Sequence, residues 1–284
     1  MRAPQASVRR GRSALDGIKV VRVGWIVDPI QQVRGGAEIS SDSLRRAHPR
    51  CVAIQWQAAW KQEDRPPDLF VVQNCVTFGS DLVNVLSQAP VVKCVRDYWD
   101  HAGDPVLRTW LLENANVLIF SSPGQQERFP FPVDSPTVLV PPPVYAPRYM
   151  KAAENAGERA GTCWVGRMFE PEKGIANAVA WANEHREVVD FYGDGPHKPA
   201  NSQYVRYAGV LTHEEVAGVL VSYERFLFLP NWYEPFGRAV VEAHFAGCEL
   251  LLNDNIGAKW WIDNDPVSLL QGVAMFWQVL KQVI

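Results

Sequence analysis

The sequence predicts an α/β protein built from two doubly wound, parallel-sheet halves. Three observations carry that expectation. Short apolar runs rich in Val and Ile recur along the chain, as in strands buried on both faces of a parallel sheet. Segments of helical length separate them, giving the alternation of βαβ units. Three consecutive prolines at 141–143 interrupt the alternation, which then begins again.

Taken in order, the first half offers strands at 20–27, 51–55, 69–73, 91–95, 117–120 and 137–140, with helices at 37–47, 80–89 and 105–115. A domain linker is placed at 141–160, around the prolines. Strands follow at 162–165, 188–192, 204–208, 226–230 and 249–253, with helices at 174–185, 213–223 and 236–247. The organisation expected is a basic flexible tail over 1–18, an N-terminal Rossmann-like domain over 19–145 and a C-terminal one over 160–265. A last helix at 266–284 has no strand after it. Two such sheets would face each other across a cleft at their carboxyl edges, where open α/β sheets bind ligands.

Composition narrows the class. The 284 residues are 47% hydrophobic and 21% charged, enough chain for one large or two medium domains. An ordinary apolar content with a net charge of −3 excludes a disordered chain. No glycine period or sustained heptad suggests collagen or a coiled coil, and no apolar run is long enough to span a bilayer. The N-terminus is basic and lacks an apolar stretch, so no secretory signal is expected. Cys51, Cys75, Cys94, Cys163 and Cys248 are odd in number and form no C-x-x-C pair. Buried free thiols in a cytoplasmic, reducing setting are therefore expected, rather than a disulfide framework or a zinc cage. Residues 1–150 carry 17 Lys and Arg against 14 Asp and Glu, and 14 of those 17 are Arg. That excess suits phosphate contacts as well as a solvated surface.

The densest chemistry lies in the second half. The string EPFGRAVVE at 234–242 follows a buried strand and opens a helix, placing Glu234 in the loop and Glu242 two turns along. Pro235 is expected near the first helical turn, and Gly237 lets the backbone approach a ligand. The N–H groups and positive end of such a helix favour an anion or a hydroxyl-rich group. Upstream, GRMFEPEKG at 166–174 leaves a strand with Arg167 and Lys173 in one loop, a place to hold a diphosphate. YGDGP at 192–196 ends the next strand in a tight turn. There is no G-x-G-x-x-G after the first strand and no P-loop, so nicotinamide binding and P-loop hydrolysis are disfavoured. Asp263-Asn264-Asp265 spells a D-x-D triplet, but in a late loop where convergent metal ligands are not expected.

In combination, GR…EKG, YGDGP, Y-A-G and the paired Glu234 and Glu242 resemble the retaining nucleotide-sugar glycosyltransferases of family four, which have the GT-B fold. The resemblance is dense over 162–253 and looser before it, where GGAE at 35–38 and RDYW at 96–99 are similar. It implies a nucleoside-diphosphate-sugar, UDP-sugar favoured, as co-substrate, with no metal or other cofactor required. Arg167 and Lys173 would neutralise the diphosphate leaving group, and Glu234 would contact the transferred sugar. Gly166, Gly193, Pro235, Phe236 and Gly237 would line the donor, and Glu242 would take ribose hydroxyls. The last helix would cross back to the first domain. Gly35, Gly36, Trp99 and His101 would form the acceptor side. Many members of that family carry His where this chain has Arg96, and Arg cannot act as a base at neutral pH. Arg96 would bind a phosphate or polarise a sugar oxygen, with Asp97 or His101 supplying the missing group. The acceptor stays open among a glycan, a lipid-linked sugar and hydroxymethylated bases of phage DNA. A donor-binding module without catalysis is the non-enzymatic alternative.

Overall fold

A computed structural model describes residues 21–27, 36–47, 51–55, 67–96 and 104–284. The basic tail assigned to 1–18 lies outside them. The first sheet comprises β1 (Val21–Ile26), β2 (Cys51–Gln55), β3 (Leu69–Val72), β4 (Val91–Cys94), β5 (Val117–Phe120) and β6 (Thr137–Leu139). All pairs are parallel, in the order β2-β1-β3-β4-β5-β6. Its helices are α1 (Gly36–Arg46), α2 (Leu82–Leu86), α3 (Pro105–Asn114) and α4 (Pro123–Glu127). Every residue of β3, β4 and β5 is buried, which is why these strands read as unbroken apolar runs.

The second sheet comprises β7 (Thr162–Val165), β8 (Val189–Tyr192), β9 (Val205–Gly209), β10 (Arg225–Phe228) and β11 (Glu249–Leu252), in the order β11-β10-β7-β8-β9. Around it lie α5 (Ala146–Glu154), α6 (Ile175–His185), α7 (Glu215–Leu220), α8 (Arg238–Ala246) and α9 (Gly257–Asn264). Strand order reverses between β7 and β10. At such a switch point the loops leaving adjacent strands part to opposite faces and open a crevice. The loops after β7 and β10 carry Arg167, Lys173 and Glu234, so topology puts the densest sequence signal at this crevice.

Two elements depart from the sequence reading. The interval 141–160 is not all linker: α5 occupies its middle and buries Tyr149 in the core of the second sheet. The D-x-D triplet is not a loop either. Asp263 and Asn264 end α9, and Asp265 caps the last helix, α10 (Pro266–Val283), accepting from the Ser268 N–H at 3.3 Å and the Ser268 hydroxyl at 2.6 Å. Asp265→Ala is expected to cost about 1 kcal/mol in urea denaturation, the usual worth of such a cap.

Helix α10 crosses to the first domain. Phe276 stacks on Trp25 of β1 with ring centroids 5.8 Å apart, and Trp277 meets the same ring edge-on. Leu269, near the start of the helix, packs in the second core, while Phe276, Trp277 and Leu280 pack against the first sheet. Gly272 allows the crossing, because a Cβ there would meet the Pro141 carbonyl oxygen at 2.5 Å. Cys94, Cys163 and Cys248 are buried free thiols, and Cys75 is buried as well. Among the described residues no helix is long and apolar enough to cross a membrane.

Candidate active site

The loop after β7 closes in a single 3-10 turn, Pro171–Lys173, ended by Gly174 in the left-handed conformation. The loop after β10 runs beside it. Asn231 N–H donates to the Glu172 carbonyl at 2.9 Å, and Asn177 Nδ2 donates to the Leu229 carbonyl at 3.0 Å. These bonds bring two segments sixty residues apart into register and set Lys173 Nζ as donor to Glu234 Oε2.

Glu234 is held from behind. Its N–H donates to the Asn255 carbonyl at 2.8 Å, and its carbonyl accepts from Gly257 N–H at 2.9 Å. Phe236 is buried, and its carbonyl accepts from Ala258 N–H at 2.7 Å. The segment 234–236 is thus a short parallel bridge onto 255–258. Gly237 then turns with φ of 80° and caps α8, a conformation costly for a side chain with a Cβ. Pro235 therefore lies just ahead of the helix, two residues before its cap.

The other expected donor residues divide. Gly166 and Gly193 form the floor between β7 and β8, packed so closely that a Cβ on Gly193 would lie 1.8 Å from the Gly166 carbonyl oxygen. Arg167 stays within its own loop, pairing with Glu170 at 3.1 Å and lying over the Phe169 ring at 5.4 Å. Glu242 is covered, and its Oε1 accepts from Arg238 Nε at 2.7 Å. On the first-domain side, Arg96 leaves β4 half-buried beside Cys94, and its Nε finds no partner among the described residues. Burial pushes the Cys94 thiol above its ordinary range despite that guanidinium. Gly36 opens α1. Gly35, Asp97, Trp99 and His101 lie outside the described residues.

A joint between the domains was not read from the sequence. The Ser122 hydroxyl, which caps α4, donates to the Pro235 carbonyl at 2.8 Å and lies 3.1 Å from the Tyr233 hydroxyl. Arg128 covers the Tyr233 ring at 4.6 Å, and Trp261 Nε1 donates to the Ser121 carbonyl at 2.7 Å. Trp261 is thus part of this joint. The first domain therefore grips the residues on either side of Glu234. Ser122→Ala would strand a buried carbonyl and cost about 1–3 kcal/mol of stability, measured by chemical denaturation.

No protein-family model and no curated protein matches the chain, but solved structures do. HepE of Anabaena in complex with UDP-glucose matches with a TM-score of 0.61 at 14% identity, over 93% of this chain and 91% of that one. A glycosyltransferase from Rickettsia africae gives 0.60 at 10% identity, covering 93% and 89%. AviGT4, a glycosyltransferase involved in avilamycin A biosynthesis, gives 0.56 at 15%, covering 89% and 88%. Identities this low speak to architecture: the chain has the two-domain GT-B fold of these glycosyltransferases.

Proposed function

We propose that the protein is a glycosyltransferase that moves a sugar from a nucleoside-diphosphate-sugar, a UDP-sugar by preference, to an acceptor hydroxyl with retention at the anomeric carbon. The observation that carries this reading is the Lys173–Glu234 pair, set at the switch-point crevice beside the N-terminus of α8. Similarity in fold to an enzyme crystallised with UDP-glucose supports the choice of donor.

The bond between the anomeric carbon and the donor phosphate oxygen breaks, leaving a nucleoside diphosphate. The acceptor oxygen bonds to the same face of that carbon, and its proton passes to the departing phosphate oxygen. Lys173, with Arg167 reoriented from the same loop, would stabilise the charge that develops on the diphosphate, where preorganised electrostatics contribute most. Glu234 would accept hydrogen bonds from sugar hydroxyls and orient the ring. Because these cations supply the positive charge, turnover is expected to persist in EDTA.

Arg96, where the family that the sequence resembles often has histidine, favours a second reading, a binding module without turnover. One experiment decides between them. A thermal-shift panel of nucleoside diphosphates and their sugars identifies the donor, since a ligand that binds only the folded state raises its apparent stability. Release of nucleoside diphosphate from that donor is then assayed. Binding with release supports the enzyme, and binding without release under any acceptor supports the module. No shift with any nucleotide removes both.

A further inference from the structure

We propose that Arg238 is a positioning residue that aims the Glu242 carboxylate at a ribose hydroxyl of the donor, so that the Arg238–Glu242 pair, and not Glu242 alone, selects a ribonucleotide. The inference rests on the donor reading above. Its geometry is local. Arg238 is the first residue of α8, directly after the Gly237 turn at the crevice, and Glu242 stands one helical turn further in. Their side chains are only 14% and 7% exposed, unlike the solvated i,i+4 pairs that merely decorate helices. A carboxylate covered to this degree is stable as an anion only with a hydrogen-bonded cation beside it.

The groups packed around Glu242 leave that task to Arg238. From α5, Tyr149 lies beside the carboxylate, but its hydroxyl makes no well-formed hydrogen bond there. Burial and then the charge of Glu242 keep that phenol protonated. Arg148, from the same helix, turns a guanidinium N–H to the His213 carbonyl at 3.3 Å. His213, in the loop after β9, is biased to its neutral form by burial, and Glu214 beside it is acidic. Arg238 Nε is thus the charged donor bonded to Glu242 among the described residues. Its Nη1 is buried with no partner among those residues. The Nε–Oε1 bond ties guanidinium and carboxylate to each other, so each restrains the other's orientation. A carboxylate offers four acceptor sites and Arg238 takes one, so a ribose hydroxyl can share the group with it.

The test compares Kd for UDP and 2′-deoxy-UDP in the full chain. The wild type is expected to prefer UDP by about tenfold or more, as for a hydrogen bond to a charged group. Glu242→Gln and Arg238→Met are each expected to reduce the preference to about threefold or less. The double variant should lose no more than either single one, because coupled residues are non-additive. Arg238→Gln, which keeps a donor and most of the volume, carries the same comparison should the methionine variant not fold. A folded Arg238 variant with the full preference overturns the inference. A wild type that binds both nucleotides equally also overturns it while leaving the donor reading intact. A wild type that binds no nucleoside diphosphate overturns both.

Discussion

Lys173→Ala is expected to lower kcat for sugar transfer on the order of 100- to 1,000-fold, the usual cost of removing one preorganised group that stabilises transition-state charge. Stability should hardly move. The Lys173 and Glu234 side chains are 30% and 17% exposed, so water still reaches both ends of the pair, and it contributes about 1 kcal/mol to folding. The split between kcat and stability is therefore the diagnostic. Charge on the leaving diphosphate is largest in the transition state, so the loss should fall mainly on kcat, with a smaller change in KM. Lys173→Arg keeps the cation but replaces a point charge with a planar fork, and should recover part of the rate. Steady-state kinetics with the donor found by thermal shift would measure all three proteins. Equal kcat in Lys173→Ala and the wild type would remove Lys173 from the chemistry and leave that role to Arg167 of the same loop.

What the sequence made legible follows from which forces are local. Strands such as 117–120 and 162–165 are buried on both faces, so their composition alone declares them. The loops that hold Lys173 and Glu234 were legible because glycine, proline and charge mark strand-to-helix turns. Helix α5 was hidden because a proline run precedes it and its face is short. Only Ala146 and Tyr149 of its nine residues are buried. The domain joint was invisible for another reason. Ser122 and Tyr233 meet across 111 positions, and nothing near either residue signals the other. Arg238 and Glu242 stand four positions apart with opposite charge, yet the sequence reading gave Arg238 no role. The sequence reading assigned Glu242 to the ligand alone, because spacing does not reveal that both side chains are covered.

The second large effect is expected from a methyl group. Gly174→Ala should destabilise the protein by about 2–4 kcal/mol, adding left-handed strain to overpacking. Gly174 has φ of 76°, and its Cβ would lie 1.9 Å from the Leu229 carbonyl oxygen and 2.8 Å from Pro230 Cα. Both are backbone atoms, so no side chain can rotate away. The 171–174 turn must retreat from the β10 loop instead, which loosens the Asn231–Glu172 bond and carries Lys173 from Glu234. Stability and turnover should therefore fall together, whereas Lys173→Ala touches turnover alone. Gly218→Ala is the matched control. It lies inside α7 with φ outside the left-handed range and nothing within 4 Å of its Cβ, so alanine there should be neutral or stabilising by up to about 1 kcal/mol. Urea denaturation of the two variants separates the close approach at Gly174 from any general intolerance of alanine for glycine. If Gly174→Ala unfolds at the same urea concentration as Gly218→Ala, the β7 and β10 loops are not locked together, and the site must owe its geometry to something other than their contact.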